Sequence, residues 1–277
     1  MNSLTEMINC NLCKSDDYTL WAVKDGFNIV KCNRCNLIYV NPRLNAEKLK
    51  KAYDQDYFEM RTNKNNSLKR QQMYSIEIKD LEKIKKGGRI LDVGCGGGFF
   101  LNSLSDFWEK YGVEISDTSA EFGRGNLGLN IKTGELTDAK FESDYFDVVN
   151  IRGVIEHLPD PMGDLRESYR ILKKGGIVAI NTPNIASLCA KIYKNKFRLI
   201  DPKRHIYYFS TRTISKILEE VGFCIIKKSY FYLGTPYAIW KDPFKILIDS
   251  IVFLFNRNAN VTSPAFFGNV VNIYAEK

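Results

Sequence analysis

The sequence predicts a doubly wound α/β fold with a small cysteine-held unit in front of it. Three observations predict this. Short apolar segments alternate with helical ones from about residue 88 onward, a glycine-rich loop follows the first of them, and two Cys-x-x-Cys pairs stand near the N-terminus. Short apolar strands alternating with helices are the pattern of a parallel sheet covered on both faces. With 277 residues, 44% hydrophobic and 26% charged, the chain can bury one full core plus an accessory unit. That composition excludes a collagen-like, low-complexity or wholly disordered chain.

The first unit spans residues 1–43. Cys10 and Cys13 are followed, after eighteen residues, by Cys32 and Cys35. This is the spacing of a four-thiolate zinc site: two tight turns each offer two sulfurs to one tetrahedral ion. The intervening TLWAV and FNIVK runs read as strands joined at Lys24-Asp25-Gly26. A zinc ribbon results, and its metal is structural, because four thiolates leave no position for water. Two disulfides or an iron–sulfur cluster are the competing uses of the four cysteines. The stretch MNSLTEMINC lacks a basic segment followed by an apolar run, so no secretory signal is expected. A cytoplasmic, reducing setting follows, which disfavours disulfides. Cys95, Cys189 and Cys224 show no pairing logic and read as packed thiols.

Residues 44–86 read as a helical linker. A helix is expected over 46–58, a polar linker or mobile loop from Thr62 to Ser67, and a second helix over 67–86. Lys85-Lys86 before Gly87-Gly88 is its stop signal. Residues 87–277 form the main domain. Strands are expected at 89–94, 110–116, 129–133, 146–152, 176–182, 223–232 and 269–276. Helices are expected at 97–107, 118–126, 163–173 and 211–221.

After the first of these strands comes Asp92-Val93-Gly94-Cys95-Gly96-Gly97-Gly98. Glycines at 94, 96 and 98 permit a sharp turn and close approach of a ligand. A dinucleotide fingerprint needs Gly or Ala where Phe99 stands, and a P-loop needs Gly-Lys-Ser/Thr, which is absent. The loop therefore suits a ligand without a pyrophosphate. Glu114, sixteen residues after Gly98, closes the second strand, where a carboxylate can accept two hydrogen bonds from a ribose diol. Loop and acid together point to a nucleoside.

On these residues the chain resembles the class I S-adenosylmethionine-dependent methyltransferases, over roughly residues 68–230. The resemblance implies a seven-stranded Rossmann-like sheet whose last strand is antiparallel. It implies that Asp92, Gly94, Cys95, Gly96 and Gly98 meet the methionine part of S-adenosylmethionine. Glu114, with Ile115, would meet the ribose, and Glu135 and Leu136 the adenine. Asn150, Ile151 and Arg152 would lie beneath the cofactor. The ribbon in front resembles that of bacterial methyltransferases acting on sugars and other small metabolites.

Only two histidines exist, His157 and His205, so any imidazole chemistry uses one of them. In one reading His205 is the general base that removes the acceptor's proton. In another, the resemblance extends to ubiquinone-type and small-RNA O-methyltransferases, whose Glu-x-x-Glu-His motif and distant His hold a divalent metal such as Mg²⁺. Glu156, His157 and His205 match three of those positions, and Gly153 stands where the first Glu would be. Local packing or capping is the third reading. His205, His157 and Glu156 are the catalytic candidates.

The net charge of +8 is unevenly spread. Residues 1–86 carry 16 Lys/Arg against 11 Asp/Glu, residues 87–180 carry 10 against 15, and residues 181–277 carry 14 against 6. An acidic middle between basic flanks is not a nucleic-acid coat. Two insertions, 183–210 and 233–267, belong to the acceptor side. Residues 191–212 hold seven Lys/Arg against Asp201, which suits an anionic acceptor: a nucleotide sugar or a surface-polysaccharide or lipid precursor. A solvated basic face is the plain alternative. The helix expected at 242–255 is apolar around most of its circumference. It reads as a lid, a dimer contact or an interfacial membrane segment, with burial inside the fold the favoured role. O-methylation is expected, because the Asn-Pro-Pro-Tyr motif of N-methylating relatives is replaced by Asn150-Ile151-Arg152-Gly153. An RNA methyltransferase with a zinc module, and a non-catalytic binding protein retaining the fold, are the competing functions.

Overall fold

The computed structural model describes residues 4–45, 48–49, 64–256 and 259–277, with side chains from residue 68 in the helix that begins at Lys64. The helix expected over 46–58 lies, apart from 48–49, outside the described residues.

Seven strands form the main sheet: β6 (Gly88–Val93), β7 (Trp108–Glu114), β8 (Asn130–Thr133), β9 (Phe146–Arg152), β10 (Leu172–Pro183), β12 (Cys224–Ser229) and β13 (Val270–Glu276). Their order is β12-β13-β10-β9-β6-β7-β8. β6 runs parallel to β7 and β9, and β13 is antiparallel to both β10 and β12. From β6 the chain winds first toward β8, then returns to β9 and winds the other way. The switch point lies between β6 and β9, and a crevice opens at their carboxyl ends. The expected seven-stranded sheet with an antiparallel last strand is thus present.

The helices depart from expectation at their ends. α1 (Lys64–Glu82) begins earlier than predicted and takes in most of the expected polar linker. α2 (Phe99–Asn102) is a single turn rather than a helix to 107. Ser103 sends its hydroxyl back to the Phe99 carbonyl, and β7 already starts at Trp108. α3 (Asp117–Leu127), α4 (Pro161–Ile171) and α6 (Thr211–Val221) lie where predicted. The short α5 (Leu188–Tyr193) was not predicted. α1 packs Tyr74, Ile78 and Leu81 against Ile90, Phe100, Trp108 and Tyr274.

The ribbon starts with β1 (Thr5–Glu6), then β2 (Tyr18–Lys24) and β3 (Phe27–Cys32), closed by Asp25 and Gly26 at φ 51° and 81°. Two consecutive positive φ values make the tight hairpin turn that the sequence predicts there. β4 (Ile38–Val40) extends the hairpin, and β5 (Arg43–Leu44) pairs with β1. The outer strand comes from far along the chain. β11 (Tyr207–Tyr208) pairs with β4, Tyr207 opposite Tyr39 and Tyr208 opposite Ile38. Cys10, Leu37 and Tyr39 share one continuous core with Val93, Ile155 and Phe209. Asn11, between two of the cysteines, donates to Asp160 and accepts from the Met162 amide at the start of α4. Arg43 donates to Glu6, the Pro159 carbonyl and the Tyr207 hydroxyl. The ribbon is therefore bolted onto the segments that follow β9 and precede α6.

α7 (Asp242–Phe255) forms where expected, but the favoured burial is overturned: Phe244, Leu247, Leu254 and Phe255 are 60–87% exposed. Cys224, read as a packed thiol, is exposed as well, because it opens the edge strand β12. No helix among the described residues is long and apolar enough to cross a membrane.

Candidate active site

The crevice at the switch point gathers the predicted nucleoside-binding residues. Glu114 ends β7, where its Oε2 accepts from the Gly96 amide at 2.7 Å and its Oε1 from the Ser116 amide at 2.9 Å. Each carboxylate oxygen keeps a second lone-pair direction, the number a ribose diol requires. The Glu114 carbonyl accepts from Gly134 at 2.9 Å, which sets exposed Glu135 and buried Leu136 beside it, with half-buried Ile115 on the other flank. Gly94 turns the chain off β6, its amide bonded to the Val113 carbonyl at 2.8 Å. Gly98 and Gly96 are glycine for different reasons. A Cβ on Gly98 would strike Leu129 at 2.3 Å, a packing demand. A Cβ on Gly96, at φ 55°, would point into open space. Open space over a left-handed backbone, beside a buried carboxylate, is a cradle that fits a nucleoside-linked ligand.

Behind the loop, Asp92 accepts from Asn150 Nδ2 at 2.7 Å, and both are buried. Cys95 is also set back here. Burial, with Asp92 and Glu114 adding negative field, pushes its thiol well above the ordinary range, so it is no nucleophile. Ile151 is fully buried. Arg152 turns away from this group. Its guanidinium pairs with Glu77 of α1 and lies over the Tyr74 ring at 4.9 Å. Sequence reasoning missed Glu77, because nothing in a helix of that composition marks its partner 75 residues on. It missed Asp164 too. Burial, with Glu135, Asp160 and Glu167 adding repulsion, pushes that carboxyl up to about 7.

Arg152 and Glu77 form one wall of a cleft of about 290 Å³. Asn181, Asn272, Arg198, Leu199, Tyr232 and Phe266 are among its other walls. A smaller recess lined by Asn150, Arg152, Asn181 and Asn272 shares walls with it. Arg198 comes from the first predicted acceptor insertion and Phe266 from the second, while Tyr232 immediately precedes the second. Among the described residues Arg198 has no carboxylate partner, while Arg152 is matched by Glu77, so these three leave one positive charge.

Glu156, His157 and His205 do come together. One nitrogen of each ring and a Glu156 oxygen lie within 4.8 Å of one another. The rings meet edge to face at 4.7 Å. His157 Nδ1 lies 2.8 Å from the Arg204 carbonyl and His205 Nδ1 2.8 Å from the Leu199 carbonyl. A carbonyl only accepts, so each Nδ1 carries a proton, and His205 can accept at its Nε2. Glu156 is buried and accepts from Thr182 at 2.9 Å. Burial pushes its carboxyl up, and His205 pulls the other way. Gly153 borders this cluster at φ 60°. Its Cβ position lies 3.8 Å from Glu156 Oε1, so the other acid of the resembled motif is absent from a place that faces the group. Leu199 joins the cluster to the cleft: its carbonyl holds His205 and its side chain lines the wall.

In the ribbon, the Cys10, Cys13, Cys32 and Cys35 sulfurs lie within 4.8 Å of one another, with Cys10–Cys35 and Cys13–Cys32 at 3.4 Å. A tetrahedral ion with Zn–S arms near 2.3 Å needs sulfurs about 3.8 Å apart. The two turns match. Lys14 bonds back to the Cys10 carbonyl at φ 59°, and Asn36 to the Cys32 carbonyl at φ 65°. The donor set and its dimensions fit zinc.

A sequence model of the methyltransferase-domain family matches residues 68–228. An uncharacterized protein of Methanocaldococcus jannaschii is 29% identical over 56% of this chain and 74% of its own length. The ubiquinone biosynthesis O-methyltransferase of Neisseria meningitidis serogroup C is 33% identical over 36% of this chain; the match spans 45% of that relative's length. Among solved structures, a SAM-dependent methyltransferase of Archaeoglobus fulgidus aligns with TM-score 0.56 at 24% identity, over 80% of this chain and 100% of that one. One from Thermotoga maritima aligns with TM-score 0.55 at 22% identity, over 79% and 98%. At such identities the two structures establish likeness of fold.

Proposed function

The chain belongs to the methyltransferase-domain family, and from that premise we propose that it methylates an oxygen of a small anionic acceptor, with S-adenosylmethionine as donor. The cleft lined by Arg152 and Arg198, whose adjoining recess reaches Asn150, the hydrogen-bond partner of Asp92, is the observation that carries this reading.

When bound, S-adenosylmethionine supplies a methyl group already activated on a sulfonium, so positioning dominates the protein's contribution. In this reading Glu114 binds the ribose diol and Gly96 lets the backbone approach. Asp92, Gly94, Cys95 and Gly98 shape the methionine end, and Ile115, Glu135 and Leu136 flank the adenine. Asn150 holds Asp92 in place, and Ile151 packs beneath. Arg198 meets the acceptor's anionic group, and the Tyr232 and Phe266 rings exclude water. His205, its Nδ1 fixed by the Leu199 carbonyl, offers Nε2 to take the hydroxyl proton. His157 and Glu156 set its place and field. Cys10, Cys13, Cys32 and Cys35 hold a structural zinc, and a reducing cytoplasm keeps them from pairing as disulfides.

A second reading is favoured by the convergence of Glu156, His157 and His205. These three would hold Mg²⁺ or another divalent ion that orients the acceptor oxygen. One panel separates the readings. Tritiated-methyl transfer is assayed on nucleotide sugars, quinone precursors and RNA, with Mg²⁺ and with EDTA. Label in an anionic small molecule, insensitive to EDTA, supports the base reading. Loss of label in EDTA, restored by Mg²⁺, supports the metal reading. Ribonuclease-sensitive label overturns the small-molecule acceptor.

A further inference from the structure

α7 has its polarity inside out. A helix on the surface of a soluble domain buries its apolar stripe and exposes its charges. Here Asp242 and Asp249 are the buried positions, together with Ile246. Asp242 accepts from the Tyr232 hydroxyl at 2.7 Å and the Ile239 amide at 3.1 Å. Asp249 accepts from the Tyr193 hydroxyl and, at 2.7 Å, from Lys245. The opposite face presents Phe244, Leu247, Ile248, Ile251, Leu254 and Phe255, each between 49% and 87% exposed. The face continues into the preceding loop through Trp240, 74% exposed and edge-on to Phe244 at 6.2 Å. Burying two carboxylates inside while leaving six large apolar side chains outside is costly in water. The helix is built to set this face against something apolar.

Charge identifies the occupant. The carboxylates of α7 are internal and held by hydrogen bonds, Asp242 from Tyr232 and Asp249 from Lys245. The ionisable groups at the apolar rim are cationic: Lys241 is exposed beside Trp240, its ammonium 5.2 Å from the indole, and Lys245, paired with Asp249, is partly exposed. An indole and lysines at the edge of an apolar helical face are the elements of an interfacial helix on an anionic bilayer. A second copy of this chain would bring the same lysines toward each other across a twofold axis. At 14 residues the helix is too short to span and long enough to lie in the interface. The same insertion supplies Tyr237 and Phe266 to the cleft wall.

We propose that the protein docks on anionic lipid surfaces through α7 and Trp240, with the helix lying in the interfacial plane. This does not depend on which acceptor is methylated. The test is co-sedimentation of the full chain with vesicles of equal parts phosphatidylglycerol and phosphatidylcholine, and with phosphatidylcholine alone. Tryptophan quenching by brominated lipid is read in the same samples. The expected result is sedimentation with the anionic vesicles, weakened by salt, with quenching of part of the tryptophan signal. Leu247→Glu and Ile251→Glu, both on the exposed face, should each lower partitioning by about tenfold. Lys241→Glu should lower it less and remove part of the salt dependence. No binding and no quenching with wild-type protein on either vesicle overturns the proposal. So does a dimer in sedimentation equilibrium that Leu247→Glu dissociates while vesicle binding is unchanged.

Discussion

The proposed cofactor side and the proposed acceptor side of this sheet are built by different means. On the cofactor side, β6, the glycine loop and Glu114 lie within one βαβ unit, and the key contact joins Gly96 to Glu114 directly. On the acceptor side, the cleft and the histidine cluster join Glu77, Arg152, Glu156, Arg198, His205 and Asn272, drawn from across two hundred residues. A local unit needs little outside help. A composite one needs a clamp, and the ribbon supplies it: Asn11, Arg43 and the β4–β11 pairing hold the loop after β9 and the strand before α6. The lesson is that a front-end cysteine-held module can brace a composite region that it does not itself form.

That contrast can be broken at the ribbon. Cys32→Ser removes one of four ligands at a buried site, and a destabilisation of about 4 kcal/mol is expected. Thermal unfolding with parallel zinc analysis checks it. An unchanged melting temperature with zinc lost would dissolve the clamp. The next largest effect separates the two sides by function. Arg198→Glu should raise KM for the anionic acceptor at least about tenfold, the weight of a hydrogen bond to a charged group. The dissociation constant for S-adenosylmethionine should stay the same; a shared loss would mean that the two sides are not distinct.

The smallest effect concerns how α1 is pinned to the sheet. Burial opposes ionisation of Asp80, but hydrogen bonds from Lys227 and Ser229 on β12 outweigh it, and its carboxyl sits below its usual range. A depressed folded-state value stabilises above the ordinary carboxylate value of about 4 and is lost as pH falls through the folded one. Asp80→Asn should therefore cost about 1 kcal/mol at neutral pH and nothing in strong acid. Urea unfolding at both pH values checks the sign.

The same local-versus-composite division explains what the sequence disclosed. The glycine loop, Glu114 and the strand alternation were legible because each is written in contiguous residues with a single geometric use. The four cysteines were legible by spacing alone. His157 and His205 could be paired only by resemblance, since the loop that joins them is irregular. Arg198 was legible only as one of seven cations in a basic run, and Glu77 and Asp164 left no trace, because their meaning comes from partners on other elements. α7 was read in its right place but with the wrong face inward. Its apolar count is high all round, and only Tyr193 and Tyr232, from other segments, explain why Asp249 and Asp242 go inside. α2 was overextended because apolar periodicity carried past Ser103, where a side chain competes with the backbone.

Calorimetric titration of S-adenosylmethionine into the full-length, zinc-loaded protein and its Glu114→Ala variant tests the central claim most directly. One molecule should bind per chain, and the variant should bind about 10–100-fold more weakly, the weight of two hydrogen bonds to a carboxylate. Equal affinity in the two proteins, or no binding to the wild type, would contradict it.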